Sequence, residues 1–415
     1  MITPTEKNSF TPATQSELAR FVAENAAGER RTLCPVGGRT AMRYGFSVTE
    51  PDAVVSLSGL ARVVDYPARD MTITVEAGMR MDELQATLAS ERQRLPIDIA
   101  QAGRATLGGA LATNTSGPRR FGHGTFRDYV IGISAVDAHG RAFKAGGRVV
   151  KNVAGYDICK LLVGSRGTLA IVTQVTLKLR PLAETSALLW LTFSRFDEIE
   201  RCLERLLTSD ARPVAVEVLN PAAAKLIADS SRCELPVDAP VLCLGVEGSP
   251  REVDWQIETL RREMAPFGVT SSDAVSEPEA AALWQALTEF QTCADDPLTF
   301  QANLRPSQCV AFAERATRLN VAVQVHAGNG IVIGQLPESA ATVDETAILL
   351  NELRQVARSG GGNLHVLHCD SEWQPLIPMC GEPESSWPLM KELKQKLDPH
   401  GLLNPGLFVE GATVR

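Results

Sequence analysis

The chain has 415 residues, of which 44% are hydrophobic and 22% are charged, a composition typical of a soluble globular protein with two or three domains. Its net charge of −8 argues against a nucleic-acid partner. The N-terminus lacks the basic and apolar segments of a secretory signal, and no apolar run is long enough to span a bilayer. We therefore expect a cytoplasmic protein that meets a membrane only through another chain.

The cysteines are scattered, and no two of them form a C-x-x-C pair. This spacing fits neither an iron–sulfur cluster nor a zinc site. We expect most of them to be small buried hydrophobic residues in a reducing compartment. Any iron–sulfur carrier that serves this chain must then lie on another polypeptide. The nine positions are Cys34, Cys159, Cys202, Cys233, Cys243, Cys293, Cys309, Cys369 and Cys380.

The first 181 residues alternate short helices and strands with glycine-rich loops. Amphipathic spacing predicts helices over 14–27 and 81–95, the second with Leu84, Leu88 and Leu95 facing inward. We predict an α+β domain over residues 1–181. Its strands are predicted at 31–36, 53–57, 72–77, 130–136 and 169–179.

Three glycine-rich stretches interrupt these elements. In the first, Gly37-Gly38-Arg39-Thr40, backbone N–H groups and polar side chains could replace the water around a pyrophosphate. It matches no standard nucleotide fingerprint, so a plain turn between strands is the alternative. The second, from 103 to 132, has helical spacing only at 107–112, and structureless loops of that length are usually functional. The third, 164–168, is a tight turn that follows one or two helical turns at 157–163.

Regular elements dominate after residue 181. The segment 298–369 has the order strand, helix, strand, strand, helix, strand, which is that of a ferredoxin-like fold. The preceding half looks like a partial copy, with strands at 188–193, 214–219 and 241–246. We predict an antiparallel α+β domain over 182–385 and a separate C-terminal segment over 386–415. The other elements predicted here are helices at 196–207, 251–264, 307–318, 342–358 and 387–397 and strands at 298–304, 321–326, 331–335 and 364–369.

Four motifs in a fixed order carry a family resemblance. They are PVGGRT at 35–40, TLGGALATNTSG at 106–117, KNVAGYD at 151–157 with KLLVGSRGTLAIVT at 160–173, and LKQKLDPHGLLNPG at 393–406. This set resembles the vanillyl-alcohol oxidase-like flavoproteins. Within them, the KNVAGYD segment and the short second domain are most similar to the FAD-binding E subunits of bacterial glycolate oxidases. The resemblance implies an FAD-binding domain of the p-cresol methylhydroxylase (PCMH) type, followed by a ferredoxin-like cap domain.

The resemblance also implies a noncovalent FAD, because members with covalent flavin often carry a histidine in the first loop and this loop has none. His123 is expected to be a surface residue, and Asn404, Pro405 and Gly406 match the tail that returns to the flavin domain. The implied cofactor-binding positions are Pro35, Gly37, Gly38, Arg39 and Thr40 at the pyrophosphate, Thr106, Gly108, Gly109, Asn114, Ser116 and Gly117 along the pyrophosphate and isoalloxazine, and Gly164, Gly167, Thr168 and Ile171 near the ribityl and adenine.

The cap domain departs from the pattern H-x-G-D-G-N-x-H of the family's hydroxyacid dehydrogenases. From His326 onward, Asn329, Ile331 and Ile333 replace the Asp, the Asn and the second His. Oxidation of a hydroxyacid needs a base for the hydroxyl proton and a cation or metal for the carboxylate, and isoleucine supplies neither. His365 and His368 lie nearby but should face opposite sides of a strand. We expect one of them in the core and one on the surface, and no metal site.

Three functions remain open. The first is the FAD-binding subunit of a glycolate oxidase complex that oxidises glycolate to glyoxylate. Its expected partners are a catalytic flavoprotein subunit and an iron–sulfur subunit. The chain would be cytoplasmic or held at the inner membrane by those partners. The second is a self-sufficient FAD-dependent 2-hydroxyacid dehydrogenase. The third is a degenerate flavoprotein kept for assembly. The sequence identifies no catalytic residue.

Overall fold

The structure is a computed structural model that describes residues 8–42, 51–147, 156–292, 298–337, 340, 342–370 and 372–407. The chain forms two compact units. The first comprises Met1–Thr115, Thr125–Leu182 and Glu382–Arg415, and the second comprises Ser116–Gly124 and Ala183–Gly381. Residues 151–155 of the KNVAGYD motif and Cys293 lie outside the described residues. Within the described ranges, no helix is long and apolar enough to cross a membrane.

The first unit is an α+β structure built mainly on antiparallel strands. Elements are numbered along the whole chain. Its helices are α1 (Gln15–Ala27), α2 (Met81–Ala89), α3 (Leu107–Thr113), α5 (Phe126–Tyr129), α6 (Ile158–Leu162) and α13 (Trp387–Leu397). Its strands are β1 (Ser9–Phe10), β2 (Leu33–Val36), β3 (Ala53–Ser56), β4 (Val63–Asp65), β5 (Thr72–Glu76), β6 (Gln93–Arg94), β7 (Val130–Val136), β8 (Ala142–Gly146), β9 (Ile171–Lys178) and β10 (Arg180–Pro181).

The strands of the first unit form three sheets. The largest is antiparallel, in the order β4-β5-β9-β7-β8, and its central strands bury Ile73, Val75, Val175 and Leu177 completely. A parallel sheet has the order β1-β3-β2, and β6 pairs with β10. The apolar residues of β9 alternate with more exposed ones, as the sequence predicts for a strand with one buried face.

The helix predicted over 81–95 is wrong in its second half. Helix α2 ends at Ala89, and Arg92 adopts a left-handed backbone with φ of 54°. Gln93 then begins β6, and its side-chain amide donates to the Ala68 carbonyl at 2.7 Å and accepts from the Tyr66 hydroxyl at 3.1 Å. Leu95 is buried as predicted, but it follows β6 and does not lie on a helix with Leu84 and Leu88. Tertiary hydrogen bonds thus override the helical period.

The second unit carries most of its residues in one sheet and the helices that pack on it. Its helices are α4 (Arg120–His123), α7 (Phe196–Leu206), α8 (Pro221–Ser231), α9 (Pro250–Met264), α10 (Glu279–Glu289), α11 (Cys309–Arg318) and α12 (Val343–Ser359). Its strands are β11 (Thr185–Phe193), β12 (Ala215–Leu219), β13 (Val241–Gly248), β14 (Val269–Ser276), β15 (Leu298–Asn303), β16 (Ala322–His326), β17 (Ile331–Gln335) and β18 (Asn363–Cys369).

These strands form one antiparallel sheet in the order β14-β11-β13-β12-β16-β17-β15-β18. Strands β15 to β18 have the ferredoxin-like arrangement that the sequence predicts for the second half. Strands β11 to β14 repeat the same spatial order, so the first half is a complete copy rather than a partial one. The two copies join where Glu217 of β12 pairs with His326 of β16. The sequence prediction missed α8, β14 and α10.

The C-terminal helix is fixed to the rest of the first unit by a buried ion pair. Lys394 is 3% exposed, and its ammonium donates to Asp398 at 2.6 Å and to the carbonyls of Thr168 and Leu403 at 2.6 and 3.0 Å. Asp398, which is fully buried, also accepts from the backbone N–H groups of Leu402 and Leu403. Burial lowers the pKa of Lys394, although Asp398 opposes this shift. Four partners compensate for the lost hydration of this pair.

We expect Lys394→Met to lower the free energy of unfolding by about 3–5 kcal/mol, because it leaves Asp398 buried without its cation. Lys160→Met removes a half-exposed pair with Asp157 from the same unit and should cost less than about 1 kcal/mol. Denaturant unfolding of both variants measures the difference. Equal costs would contradict the role assigned to Lys394.

Candidate functional site

A pocket in the first unit is lined by four segments that are distant in sequence. They are the end of β2 with the first glycine-rich loop, helix α3 with its N-cap, the turn at 164–168 and the C-terminal tail. The sequence predicts that the first three segments belong to one site. The pocket is lined by at least one residue of each of them. The lining residues are Cys34, Pro35, Val36, Gly37, Gly38, Arg39, Thr40, Ala41, Met42, Thr106, Gly109, Ala112, Thr113, Arg166, Asn404 and Leu407.

The two glycines of the first loop are required by the protein's own packing. A Cβ atom at Gly38 would lie 1.6 Å from the carbonyl oxygen of Arg104, and one at Gly37 would lie 1.9 Å from the Thr106 hydroxyl. The loop therefore lies directly on residues 104–106. Its next residue, Arg39, has a φ of 56°, a conformation that a long side chain rarely adopts.

The backbone of this loop is available to a ligand. The N–H groups of residues 37–40 donate to no residue in the described part of the chain. Successive N–H groups without a protein acceptor, beside an arginine, can bind an anion where they converge. The loop thus has the donors that the sequence analysis expects at a pyrophosphate.

Helix α3 packs one glycine against the sheet and turns the other toward the pocket. The N–H of Gly108 donates to the Ala77 carbonyl at 2.7 Å, and a Cβ there would lie 2.9 Å from Ala77. Gly109 is different, because a Cβ there would meet only the Thr106 hydroxyl, at 3.3 Å. Thr106 is the N-cap and accepts from the Gly109 N–H, also at 3.3 Å. The open space beside Gly109 belongs to the pocket.

The turn at 164–168 caps the end of α3. The N–H groups of Gly164 and Arg166 donate to the carbonyls of Leu111 and Ala112 at 3.0 and 2.7 Å. Gly164 and Gly167 have φ of 81° and 66°, so a glycine suits both positions. The predicted site residues Thr168 and Ile171 are buried and do not line the pocket, whereas Arg166 does.

Two predicted site residues carry oxygens that the protein leaves unpaired. The side-chain oxygens of Asn114 and Ser116 are buried and have no hydrogen-bond partner among the described residues. Unpaired buried oxygens are unusual, so each marks a position where a ligand or water can donate. Ser116 and Gly117 belong to the second unit, while Asn114 belongs to the first.

The thiol of Cys34 lines the same pocket without being reactive. Burial raises its pKa to about 11, and the charge of Arg39 offsets only part of this shift. The group is therefore a neutral thiol at physiological pH, with the character of a small apolar side chain.

In the second unit, the segment 116–124 is held by a buried carboxylate. Glu247 of β13 contacts Arg119 Nε at 2.5 Å and His123 Nε2 at 3.1 Å, and the Arg119 guanidinium lies 3.7 Å from the centre of the Trp284 ring. The expectation that His123 is a surface residue is wrong, because its side chain is 11% exposed and paired with Glu247. Glu247 fixes this histidine in place.

A second buried carboxylate lies where the two halves of the sheet join. Glu217 is fully buried and contacts His326 Nδ1 and Gln324 Nε2, both at 2.8 Å. A carboxylate only accepts hydrogen bonds, so it selects the tautomer with the proton on Nδ1 and leaves the lone pair on Nε2. No described residue pairs with Nε2. The arrangement is that of an oriented imidazole base.

Ile331 and Ile333 lie on the same face of the sheet as this pair. They stand directly opposite His326 and Gln324 across β16 and β17, and both are buried. The surroundings of His326 are therefore apolar on that side, where the dehydrogenase pattern has polar residues.

The prediction that His365 and His368 face opposite sides of a strand is wrong. His365 pairs with Gln301 and His368 with Thr299, two positions apart on β15, so both histidines lie on one face. Leu367 has no partner on β15 and forms a bulge in β18, and this extra residue places His368 on the same face as His365. Both are half-buried. Among the described residues, no group of three or more His, Cys, Asp or Glu side chains is arranged to hold a metal ion.

Two family comparisons cover most of the chain. Residues 8–146 match the FAD binding domain family, and residues 182–363 and 380–407 match the family described as FAD linked oxidases, C-terminal domain. The first match contains the first loop and α3, and the second includes the tail residue Asn404.

Curated relatives match over nearly the whole chain at low identity. Glycolate oxidase subunit GlcD of Bacillus subtilis is 27% identical over 98% of this chain and 90% of its own length. D-2-hydroxyglutarate dehydrogenase of Xanthomonas citri is 27% identical over 95% of this chain and 87% of its length. Glycolate oxidase subunit GlcE of Escherichia coli is 27% identical over 83% of each chain.

The fold also matches that of a solved structure. The crystal structure of p-cresol methylhydroxylase with substrate bound superposes with a TM-score of 0.72 at 15% identity, covering 96% of this chain and 88% of that one. The predicted α+β fold, with a PCMH-type FAD-binding domain and a ferredoxin-like cap, is confirmed. FAD is accordingly the cofactor that the family implies.

Several residues of these sites were missed by sequence reasoning. Glu217 and Glu247 each stand alone within an otherwise apolar strand, and a charge at a buried strand position is a recognisable signal. Arg166 lies inside the predicted third turn but was passed over in favour of its neighbours. Nothing in the sequence pairs Arg119 with Glu247, which are 128 positions apart.

We expect Gly109→Val to fold normally and to lose FAD, because its side chain extends into the pocket. Gly108→Val should instead destabilise the protein, since Ala77 blocks its Cβ. Cys159→Ala should keep full flavin at a stability cost of about 1 kcal/mol. The flavin-to-protein absorbance ratio and thermal unfolding distinguish the three variants. Normal flavin content in Gly109→Val would contradict the site.

Proposed function

This chain belongs to the FAD-linked oxidase family, and we propose that it is the FAD-binding subunit of a glycolate oxidase complex that oxidises a 2-hydroxy acid to the 2-oxo acid. The pocket of the first unit carries the cofactor part of this proposal. The substrate part is supported by relatives named as glycolate oxidase subunits and as a hydroxyacid dehydrogenase. The three domains that the sequence predicts, 1–181, 182–385 and 386–415, are part of the proposal.

The residues of the pocket fit FAD. Loop 37–40 offers backbone donors and Arg39 to a pyrophosphate, and Gly109 leaves room for a ligand against α3. The unpaired oxygen of Asn114, in the same unit, can accept from a cofactor donor. Bound flavin would supply the two-electron acceptor that hydroxyacid oxidation needs. We retain the cofactor-binding set of the sequence analysis as the proposed site, with Arg166 and the tail beside it.

The partners follow from two features. Among the described residues no metal-ligating cluster exists, and the cysteines of the full sequence lack iron–sulfur spacing. We propose that electrons leave to an iron–sulfur subunit on another chain, with a catalytic flavoprotein subunit as a second partner. Relatives named as subunits support a complex. The chain is similar to both GlcD and GlcE. We propose an E-type subunit rather than a D-type one, because the H-x-G-D-G-N-x-H motif of the dehydrogenases is altered in this chain.

The Glu217–His326 pair favours a second candidate, a self-sufficient FAD-dependent 2-hydroxyacid dehydrogenase. Oxidation of a 2-hydroxy acid removes two electrons and two protons, and the hydroxyl proton needs an acceptor. His326 Nε2, with Glu217 behind Nδ1, has the form of such an acceptor. The altered motif argues against this candidate, since Ile331 and Ile333 cannot hold a carboxylate.

Anaerobic stopped-flow measurement of flavin absorbance separates the two candidates. We expect the isolated FAD-loaded chain to be reduced slowly by glycolate or lactate, because groups for the carboxylate are missing, while the assembled complex turns over. Reduction within seconds, slowed about 10²–10⁴-fold by His326→Gln, would establish the second candidate. His139→Gln, which alters an exposed histidine, is the matched control.

We expect acid precipitation to release all flavin into the supernatant, because the first loop has no histidine that could form a covalent link. Absorbance of the supernatant and of the redissolved pellet at flavin wavelengths measures the partition. Flavin that remains with the pellet after washing would show a covalent bond.

A further inference from the structure

We infer that Asn404 is a cofactor-binding residue whose side-chain oxygen accepts a hydrogen bond from an O–H or N–H group of the bound cofactor. The inference rests on the proposed binding of FAD in the pocket of the first unit. FAD carries such donors in both halves: the ribose hydroxyls and the adenine amine in its ADP half, and the ribityl hydroxyls and the flavin N3–H in its FMN half.

The orientation of the Asn404 amide is fixed by its partner. Its Nδ2 lies 2.8 Å from the carbonyl oxygen of Arg166. A carbonyl can only accept, so the amide nitrogen must occupy this side and the amide oxygen must point away from Arg166. The side chain therefore has one committed donor and one acceptor directed elsewhere.

That acceptor is left without a partner by the protein. Asn404 is 5% exposed, lines the pocket, and its Oδ1 has no hydrogen-bond partner among the described residues. Leaving a buried acceptor unpaired is unfavourable, so such an atom in a residue that lines a pocket indicates a ligand that donates to it. Pyrophosphate oxygens carry no proton at neutral pH, whereas the sugar hydroxyls, the adenine amine and the flavin N3–H do. These donors are thus the complementary groups.

The position of Asn404 is set before any ligand arrives. Its backbone N–H donates to the Leu33 carbonyl at 2.9 Å, and Leu33 in turn donates to Leu402 at 2.7 Å. The tail thereby adds alongside β2, the strand that leads into loop 37–40. Asn404 also has a φ of 42°, which asparagine tolerates better than most residues. A rigid acceptor loses little entropy on binding, and this favours a role in affinity.

Calorimetric titration of the apoprotein with FAD tests the inference. Asn404→Gly keeps the left-handed backbone available and removes the amide, and we expect it to weaken FAD binding roughly fivefold to tenfold. Asn25→Ala is the matched control. Asn25 is also 5% exposed and lies in the same unit, but Arg31 satisfies both of its amide atoms. We expect this control to lower the melting temperature and to leave FAD affinity unchanged.

Titration with ADP and with FMN locates the donor. A loss of affinity confined to ADP places it in the ADP half, and a loss confined to FMN places it in the FMN half; either supports the inference. FAD, ADP and FMN affinities of Asn404→Gly equal to those of the wild type would overturn it while leaving FAD binding intact. A wild-type protein that binds no FAD would instead overturn the proposed function on which the inference rests.

Discussion

The pocket of the first unit depends on the buried pair between Lys394 and Asp398. Placing two charges in the interior is favourable only when their remaining hydrogen-bonding groups are satisfied. Here the satisfying groups are the backbone of Thr168, Leu402 and Leu403. The same contacts that make the pair tolerable hold the turn at 164–168 against the C-terminal tail. A local electrostatic requirement thus brings together segments more than 200 positions apart in sequence.

The second unit uses buried charge in a different way. Its sheet repeats one ferredoxin-like order twice, and the two copies share an edge at Glu217 and His326. A duplicated sheet could join through apolar residues alone, yet this junction contains a carboxylate, an imidazole and the Gln324 amide, all buried. Polar groups kept in such a place at a desolvation cost indicate chemistry more than stability. This is the physical reason to test His326 although the surrounding motif has changed.

The sequence predicts those helices and strands whose hydrophobic pattern is set by neighbouring residues. The order of β15 to β18 followed from the alternation of strand and helix patterns, and the end of the C-terminal helix followed from the Asp-Pro-His-Gly stop at 398–401. Helix α8 was missed although Asn220 and Pro221 form an N-cap and a first-turn proline, a readable start signal. The common face of His365 and His368 could not be predicted, because it depends on a bulge that only strand pairing reveals. The burial of Lys394 could not be predicted either, since a lysine side chain normally faces water.

The glycines show how well a sequence pattern can identify a cofactor-binding site. The glycines at 37–38, 108–109 and 164–167 predict a ligand lying against the backbone. At Gly37, Gly38 and Gly108 the structure offers another cause, because a Cβ would strike Thr106, Arg104 or Ala77. Of these glycines, Gly109 alone faces open space within the pocket. Glycine density therefore marks where backbone segments approach one another, and such crowding is itself what builds a cleft with exposed N–H groups. The glycine pattern indicates the region in which a cofactor binds. The residues that contact the cofactor are indicated by polar atoms that have no hydrogen-bond partner in the protein.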